Sequence, residues 1–427
     1  MISAISPRPA VAVAIAAVLA CRLAAQPATP LMVRVTFAEA IALAQQNNPT
    51  VAAASAGILR AEGLVRQARA ATLVQLSGNV TTTTLNTGIE FSGQTVTPQN
   101  ALSASLSAGM PIVAAAAWAR RAQAEDTRGI AELTVADIKR QISMSTADAF
   151  LTIVNSHRLV DSNMLARDSS KAHFDLASEL EQKGTGSRLN ALRAEQQYST
   201  DAGLVEVAAL ALYRAQEALG VLIVADGPVD AADTPEFAEP PPSAPGDLGA
   251  LRTDLKLFSA QQRAAERIVR DSKKDWYPTV DALFQPSTIY PAQLFLPQNT
   301  WRFLTQTNVP LFDSGQRAAV KTERQAAVDE ARATLSGATT SAASQVRAAR
   351  EAIASGERAL ALARAGADQA RQVMQITNVS FRAGAATNIE VIDAQRTSRN
   401  ADIAMALVED QLRRARLELL EALGRFP

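Results

Sequence analysis

Five short signatures occur twice in this chain, in the same order and at nearly the same offset. Ala61-Glu62-x-x-Val65-Arg66 returns as Ala265-Glu266-x-x-Val269-Arg270, and Pro98-Gln99-Asn100 returns as Pro297-Gln298-Asn299. Each tripeptide is followed thirteen residues later by a proline, Pro111 or Pro310, with an apolar residue after it. Gly184 is echoed by Gly384, and Glu217-Ala218-Leu219-Gly220 by Glu421-Ala422-Leu423-Gly424, so all five offsets lie between 199 and 204 residues. One three-residue match is chance, but five in register mark a duplicated unit. The copies span 36–220 and 250–425, with a connector at 221–249. Its centre, Pro235 to Pro245, reads "PEFAEPPPSAP" and suits neither helix nor central strand. It is either a connector crossing the outside of the structure or a disordered linker; both mark the repeat boundary.

Proline placement then dictates what each unit contains. None occurs between Pro111 and Pro228, or between Pro310 and Pro427. Residues 112–182 and 312–382 are rich in alanine, arginine and glutamine, which predicts two helices of about 70 residues, each roughly 100 Å long. Helices of that length need other long helices to pack against. Aromatic residues make up only 4% of the chain, which suits close helix packing better than a bulky core. After Gly184 and Gly384 the chain is expected to turn back into a second helix, so each copy ends in a helical hairpin.

Strands are expected just before each long helix. Leu102, Ala104, Leu106, Ala108 and Met110 fall on one face, with Ser103, Ser105 and Ser107 on the other. Trp301, Phe303 and Val309 share a parity with Thr305 and Thr307, against Arg302, Gln306 and Asn308, with Leu304 the exception. The expected partners are Val74 to Thr84 and Tyr277 to Gln285, where Val280, Ala282 and Phe284 flank Asp281. Alternation at period two fits a barrel strand between lipid and water, or a half-buried sheet in a soluble protein. Four strands cannot close a membrane barrel, since the smallest use about eight. A membrane assignment therefore requires several chains to share one barrel.

The N-terminus reads as a secretory signal over residues 1–25: Arg8, an apolar run from Ala10 to Ala20, then small residues. Val18-Leu19-Ala20-Cys21 resembles a bacterial lipobox, which would leave Cys21 as the acylated first residue. An ordinary signal cut near Ala20 or Ala25 is the alternative. Cys21 is the only cysteine, so no disulfide forms within the chain. Charge balances at 42 basic against 42 acidic residues, and no polyanion partner is implied. No apolar run of membrane-spanning length follows the N-terminus.

Together these residues resemble the TolC family of outer-membrane factors. The resemblance runs from Thr36-Phe37-Ala38-Glu39-Ala40 to Glu421-Ala422-Leu423-Gly424. It is sharpest in Val309-Pro310-Leu311-Phe312-Asp313-Ser314-Gly315, in Phe381-Arg382-Ala383-Gly384, and in Ile389-Glu390-Val391-Ile392-Asp393-Ala394. It implies a mainly α chain with a membrane β-barrel part, assembled as a homotrimer with a twelve-stranded barrel and a twelve-helix tunnel. It also implies an outer-membrane, periplasm-spanning export duct of a tripartite efflux or type I secretion system. Its partners would be a periplasmic adaptor and an inner-membrane transporter, with no nucleic acid and no cofactor.

The resemblance assigns the hairpin turns at Gly184 and Gly384 to the tunnel tip, and acids just beyond the second turn to its aperture. Glu390 and Asp393 stand there, six and nine residues past Gly384, and their spacing places both on one helix face. Three chains would give a ring of carboxylates that repels anions and attracts cations. Solvated surface acids are the plainer reading. The family's closing tyrosine and arginine are replaced here by Phe381 and Ala386. An acidic partner in the first copy is replaced by Asn190, with Arg193 three residues on. Closure is therefore expected to use helix packing plus a substitute contact, from Arg193 or Arg382 to Glu390 or Asp393.

An enzyme is not indicated. His157 and His173 lie sixteen residues apart on an expected helix, which disfavours a metal pair, and no nucleophile has partners at suggestive spacing. The rival of a different class is a structural coiled-coil stalk or adhesin, which would leave the paired strand hairpins without a purpose.

Overall fold

The computed structural model describes residues 32–238 and 248–426. The signal segment and Cys21 lie outside the described residues, as does the centre of the proline-rich connector. The chain begins with β1 (Val33–Val35), α1 (Phe37–Asn47) and α2 (Pro49–Ala70). A strand pair follows, β2 (Gln75–Thr84) and β5 (Asn100–Val113), separated by the small strands β3 (Ile89–Phe91) and β4 (Gln94–Thr97). Next come the long helix α3 (Ala115–Gln182), α4 (Arg188–Ile223) and β6 (Val229–Ala231). After the connector, the short α5 (Leu248–Leu251) leads to α6 (Thr253–Asp271) and a 3-10 turn (Ser272–Trp276). The chain closes with β7 (Thr279–Tyr290), β8 (Asn299–Asn308), the long α7 (Gln316–Arg382) and α8 (Asn388–Ala422). Helix, strand pair, long helix and shorter helix thus occur twice in order. Among the described residues, no helix is long and apolar enough to cross a membrane.

Two compact units divide the chain, each drawing on both halves of the sequence. The first takes the described part of Met1–Gln45, with Ser145–Glu236 and Arg358–Gln411; the second takes Gln46–Met144, the described parts of Phe237–Glu357, and Leu412–Pro427 as far as 426.

In the first unit the core forms where α3 carries Phe150, Leu151 and Ile153, all fully buried, and Phe37 meets Phe150 edge-on at 5.4 Å. Beside them β1 and β6 pair in parallel, Val33 with Val229 and Val35 with Ala231. Three-residue strands carry too little periodicity to be seen in the sequence. This pairing holds Asp230 at 2% exposure, where its carboxylate accepts from His157 Nε2 at 2.6 Å and Gln216 Nε2 at 3.0 Å. Burial opposes ionisation, but the bonds from His157 and Gln216 outweigh it and hold the carboxyl below its ordinary range. Asp230→Ala would leave the buried Gln216 amide unsatisfied and free the partly exposed His157, at a cost of about 1–3 kcal/mol. Because the folded value is depressed, the contribution exists above the ordinary carboxylate range and fades as pH falls through the folded value. Thermal unfolding across pH checks this: the gap between wild type and D230A should narrow in acid. A gap that stays constant would mean the carboxylate does not carry the effect.

In the second unit α2 starts cleanly because Asn48 accepts from Thr50 N at 2.9 Å and Pro49 fills the first turn, where its missing N–H costs nothing. Buried alanines and β-branched residues, Ala342, Val346, Ala349 and Ile353, line α7. Such small side chains let helices approach closely. Charge fixes the rest: Arg140 reaches Asp137 at 3.0 Å and Glu421 at 2.5 Å, and Arg252 bonds Asp254 at 2.7 Å.

Candidate functional site

Both hairpin turns are built by the same backbone device. In the first, Thr185 N donates to Leu180 O at 3.0 Å and Gly184 N to Glu181 O at 2.9 Å; in the second, Ala385 N donates to Ser380 O at 2.8 Å and Gly384 N to Phe381 O at 3.0 Å. These paired bonds satisfy the last carbonyls of each long helix, and they require a left-handed residue between. Gly184 and Gly384 supply it, at φ 75° and 78°. Ser187 caps α4 by accepting from Leu189 N, while Thr387 opens α8.

The expected aperture residues divide into two groups. Asp393 is exposed and ion-pairs with no described residue. Glu390, also exposed, is engaged locally as well. Its carboxylate accepts from Thr387 N at 2.6 Å, and Thr387 Oγ1 accepts from Glu390 N at 3.4 Å. This is a reciprocal capping box. The Thr387 backbone bond, then its hydroxyl, lowers the Glu390 pKa below the ordinary carboxylate range. Asn190 occupies the equivalent place on α4, where that acid is absent.

Among the described residues, the expected arginine contact is not formed within a single chain. Within one chain Arg193 and Arg382 are exposed and neither reaches Glu390 or Asp393 among the described residues. The tie is neutral instead. His173 Nε2 lies 2.6 Å from Asn388 Oδ1, Asn388 Nδ2 donates to Asn190 O at 3.3 Å, and Phe381 meets the His173 ring edge-on at 5.0 Å. One buried cluster thus joins α3, α4, α7 and α8. Burial depresses the His173 pKa more than its bond to Asn388 raises it, which favours the neutral ring.

Asn388 is the first rung of a ladder along α8. Every seventh residue, Asn388, Gln395, Asp402 and Glu409, bonds a neighbouring helix. Gln395 Nε2 donates to Ser169 Oγ at 3.2 Å, and Asp402 accepts from Arg371 at 2.7 Å. Glu409 accepts from Arg158 and, at 2.9 Å, from Arg364. A further pair, Arg399 with Asp201, is nearly out of water at 12% and 3% side-chain exposure, and Gln197 also donates to Asp201 at 2.9 Å. A heptad of polar residues places them all on one seam, a spacing visible in the sequence.

In the second unit, β2, β5, β7 and β8 form one antiparallel sheet in that order. Each outer strand has one edge with no described partner. Val80 pairs with Ala104 and Leu76 with Ala108; Ala108 meets Phe284, and Phe284 meets Phe303. Trp301 pairs with Pro286, completing an apolar face. The opposite face carries Asn79 against Ser105, Ser105 against Ser287, Ser287 against Thr300, and Gln285 against Arg302. All residues of β2 and β8 are exposed on both faces. The strands outrun their expected ends: β5 passes Pro111 through a register shift, and β7 continues through Pro286 to Tyr290. The β3–β4 hairpin was not anticipated from the sequence; its turn, Ser92-Gly93, has both residues at positive φ.

Aromatic and large apolar side chains flank the sheet. Trp276 and Tyr277 precede β7, and Leu311 and Phe312, the latter 87% exposed, follow β8 at that same end. Tyr290 and Phe295 are exposed at the other. The turn behind Phe312 is fixed by Asp313, which accepts from Arg317 Nε at 2.5 Å while the guanidinium lies 4.1 Å from the Trp276 ring centre. Among the described residues no group of three or more His, Cys, Asp or Glu side chains is arranged to hold a metal.

An exposed sheet with one apolar and one polar face, in one chain with very long helices, also occurs in solved structures of outer membrane proteins. The channel CmeC of Campylobacter jejuni superposes with a TM-score of 0.81 at 15% identity, covering 91% of this chain and 86% of that one. VceC of Vibrio cholerae gives 0.76 at 17% identity, over 91% and 96%. Residues 245–425 match the family model for outer membrane efflux proteins. The outer membrane protein OprJ of Pseudomonas aeruginosa is 26% identical over 246 residues, 53% of this chain and 51% of that protein, so the match spans about half of its length. Over residues 245–425 the chain thus resembles outer membrane efflux proteins, and over most of its length it has the fold of solved outer membrane channels.

Proposed function

We propose that this chain is one protomer of a passive export duct in the outer membrane, extending into the periplasm of a Gram-negative-type bacterium. The observation that carries the reading is the sheet. Its apolar face and aromatic flanks suit lipid, its serine- and threonine-rich face suits water, and its β2 and β8 edges await partners. Pairing β8 of one copy with β2 of the next closes the sheet, and three copies give twelve strands. The two tandem units, 36–220 and 250–425, each lead from a strand pair through a long helix to a glycine turn. The connector at 221–249 joins them. In this reading residues 1–25 direct secretion, Cys21 is a candidate lipid anchor, and Glu390 and Asp393 line the periplasmic aperture.

A duct of this kind has no energy source, so a periplasmic adaptor and an inner-membrane transporter complete it. OprJ and CmeC, which it resembles, are named as an outer membrane protein and an outer membrane channel. The test is direct. Full-length protein should fractionate with the outer membrane as a heat-resistant trimer and conduct ions in planar bilayers. A peripheral, non-conducting rod would overturn the proposal.

A further inference from the structure

Asp281 and Arg302 are the two charged residues of the four strands, and both lie on the polar face. Register separates them: Asp281 pairs with Gln306, whereas Arg302 pairs with Gln285, four residues along β7 and about 13 Å away. Arg302 is held in place. Its Nε donates to Gln285 Oε1 at 2.7 Å, and Gln285 Nε2 donates to Ser107 Oγ at 3.3 Å. With Nε engaged, neither terminal guanidinium nitrogen bonds a described residue, so both face open space as a fork. Ser105, Ser107, Ser287 and Thr300 surround it in a groove of about 380 Å³, and Ser287 and Thr300 share a hydrogen bond at 2.8 Å. No carboxylate lines the groove.

We infer that Arg302 is an oxyanion station in the lumen of the closed barrel, a specificity-determining site for anionic cargo. The inference rests on the barrel reading above. A guanidinium oriented through one nitrogen presents two parallel N–H donors, the geometry that takes a carboxylate, sulfate or phosphate in bidentate fashion. Hydroxyls on the flanking strands supply further donors to the same oxygens. Closing the barrel with three copies repeats the site three times at one level, with low-dielectric walls that focus its positive field.

The test uses full-length trimer in bilayers of zwitterionic lipid, with inorganic sulfate added on the side opposite the periplasmic one. Wild-type current should fall with sulfate, and R302Q should weaken the block at least about fivefold by removing one charge-assisted pair per protomer. R302K should retain part of the block, since it keeps the charge and loses the fork. Q285L, which frees the guanidinium without removing it, should weaken the block less than R302Q. Equal block in conducting wild type and R302Q overturns the inference while leaving the duct intact. A wild type that forms no conducting trimer overturns the barrel reading and the station with it. An R302Q protein that fails to insert leaves R302K and Q285L to decide: full wild-type block in both would overturn the station.

Discussion

The Arg399→Ala protein is expected to lose about 3–5 kcal/mol of stability, because it strands the Asp201 carboxylate in a site that is almost free of water. Gln197 still donates to that carboxylate and should hold the loss toward the lower end. The expected readout is a lower unfolding midpoint in detergent, since the pair joins α8 to α4 more than about 20 Å along the helices from the hairpin turns. A buried ion pair is a better register device than a stabiliser. Replacing both partners with leucine should therefore recover most of the midpoint. If R399A and D201L/R399L proved equally unstable, the loss would come from packing and the electrostatic account would fail.

The second large effect concerns Glu390 and Asp393. Divalent cations added on the periplasmic side should block the duct, and E390Q/D393N should weaken the block by about tenfold or more, since both proposed aperture carboxylates are then neutral. Glutamine matters in this design. Glu390 also closes the capping box with Thr387, and glutamine can keep that bond where alanine cannot. E390A/D393A should thus lose both the block and the local order of the turn. Unchanged block in E390Q/D393N would remove these acids from the aperture.

That double duty shows where sequence reading reached and where it stopped. Gly184 and Gly384 were legible because a left-handed backbone position has few solutions, and the four strands of the large sheet were legible because one apolar and one polar face impose period two. Thr387-x-x-Glu390 is itself a capping signature, so the acid's local role could have been read beside its proposed aperture role. The His173–Asn388 bond could not: it joins residues 215 apart, and nothing local in either marks the other. Nor could the sequence say that Arg193 and Arg382 would stay unpaired within the chain, because only packing decided that a neutral cluster fills the space between the turns. The Arg302 fork needed register, which the alternation alone does not supply.

Asn388, Gln395, Asp402 and Glu409 have a consequence for how this region can move. Their rungs share one spacing, so a slide of α8 by a single helical turn would mismatch all of them at once. The next position at which the bonding groups of α8 return to the same heights lies one heptad away, about 10 Å along the axis. Creep is therefore penalised at every step between, and α8 must release its neighbours together or hold them together. The seam works as a ratchet with one very coarse tooth.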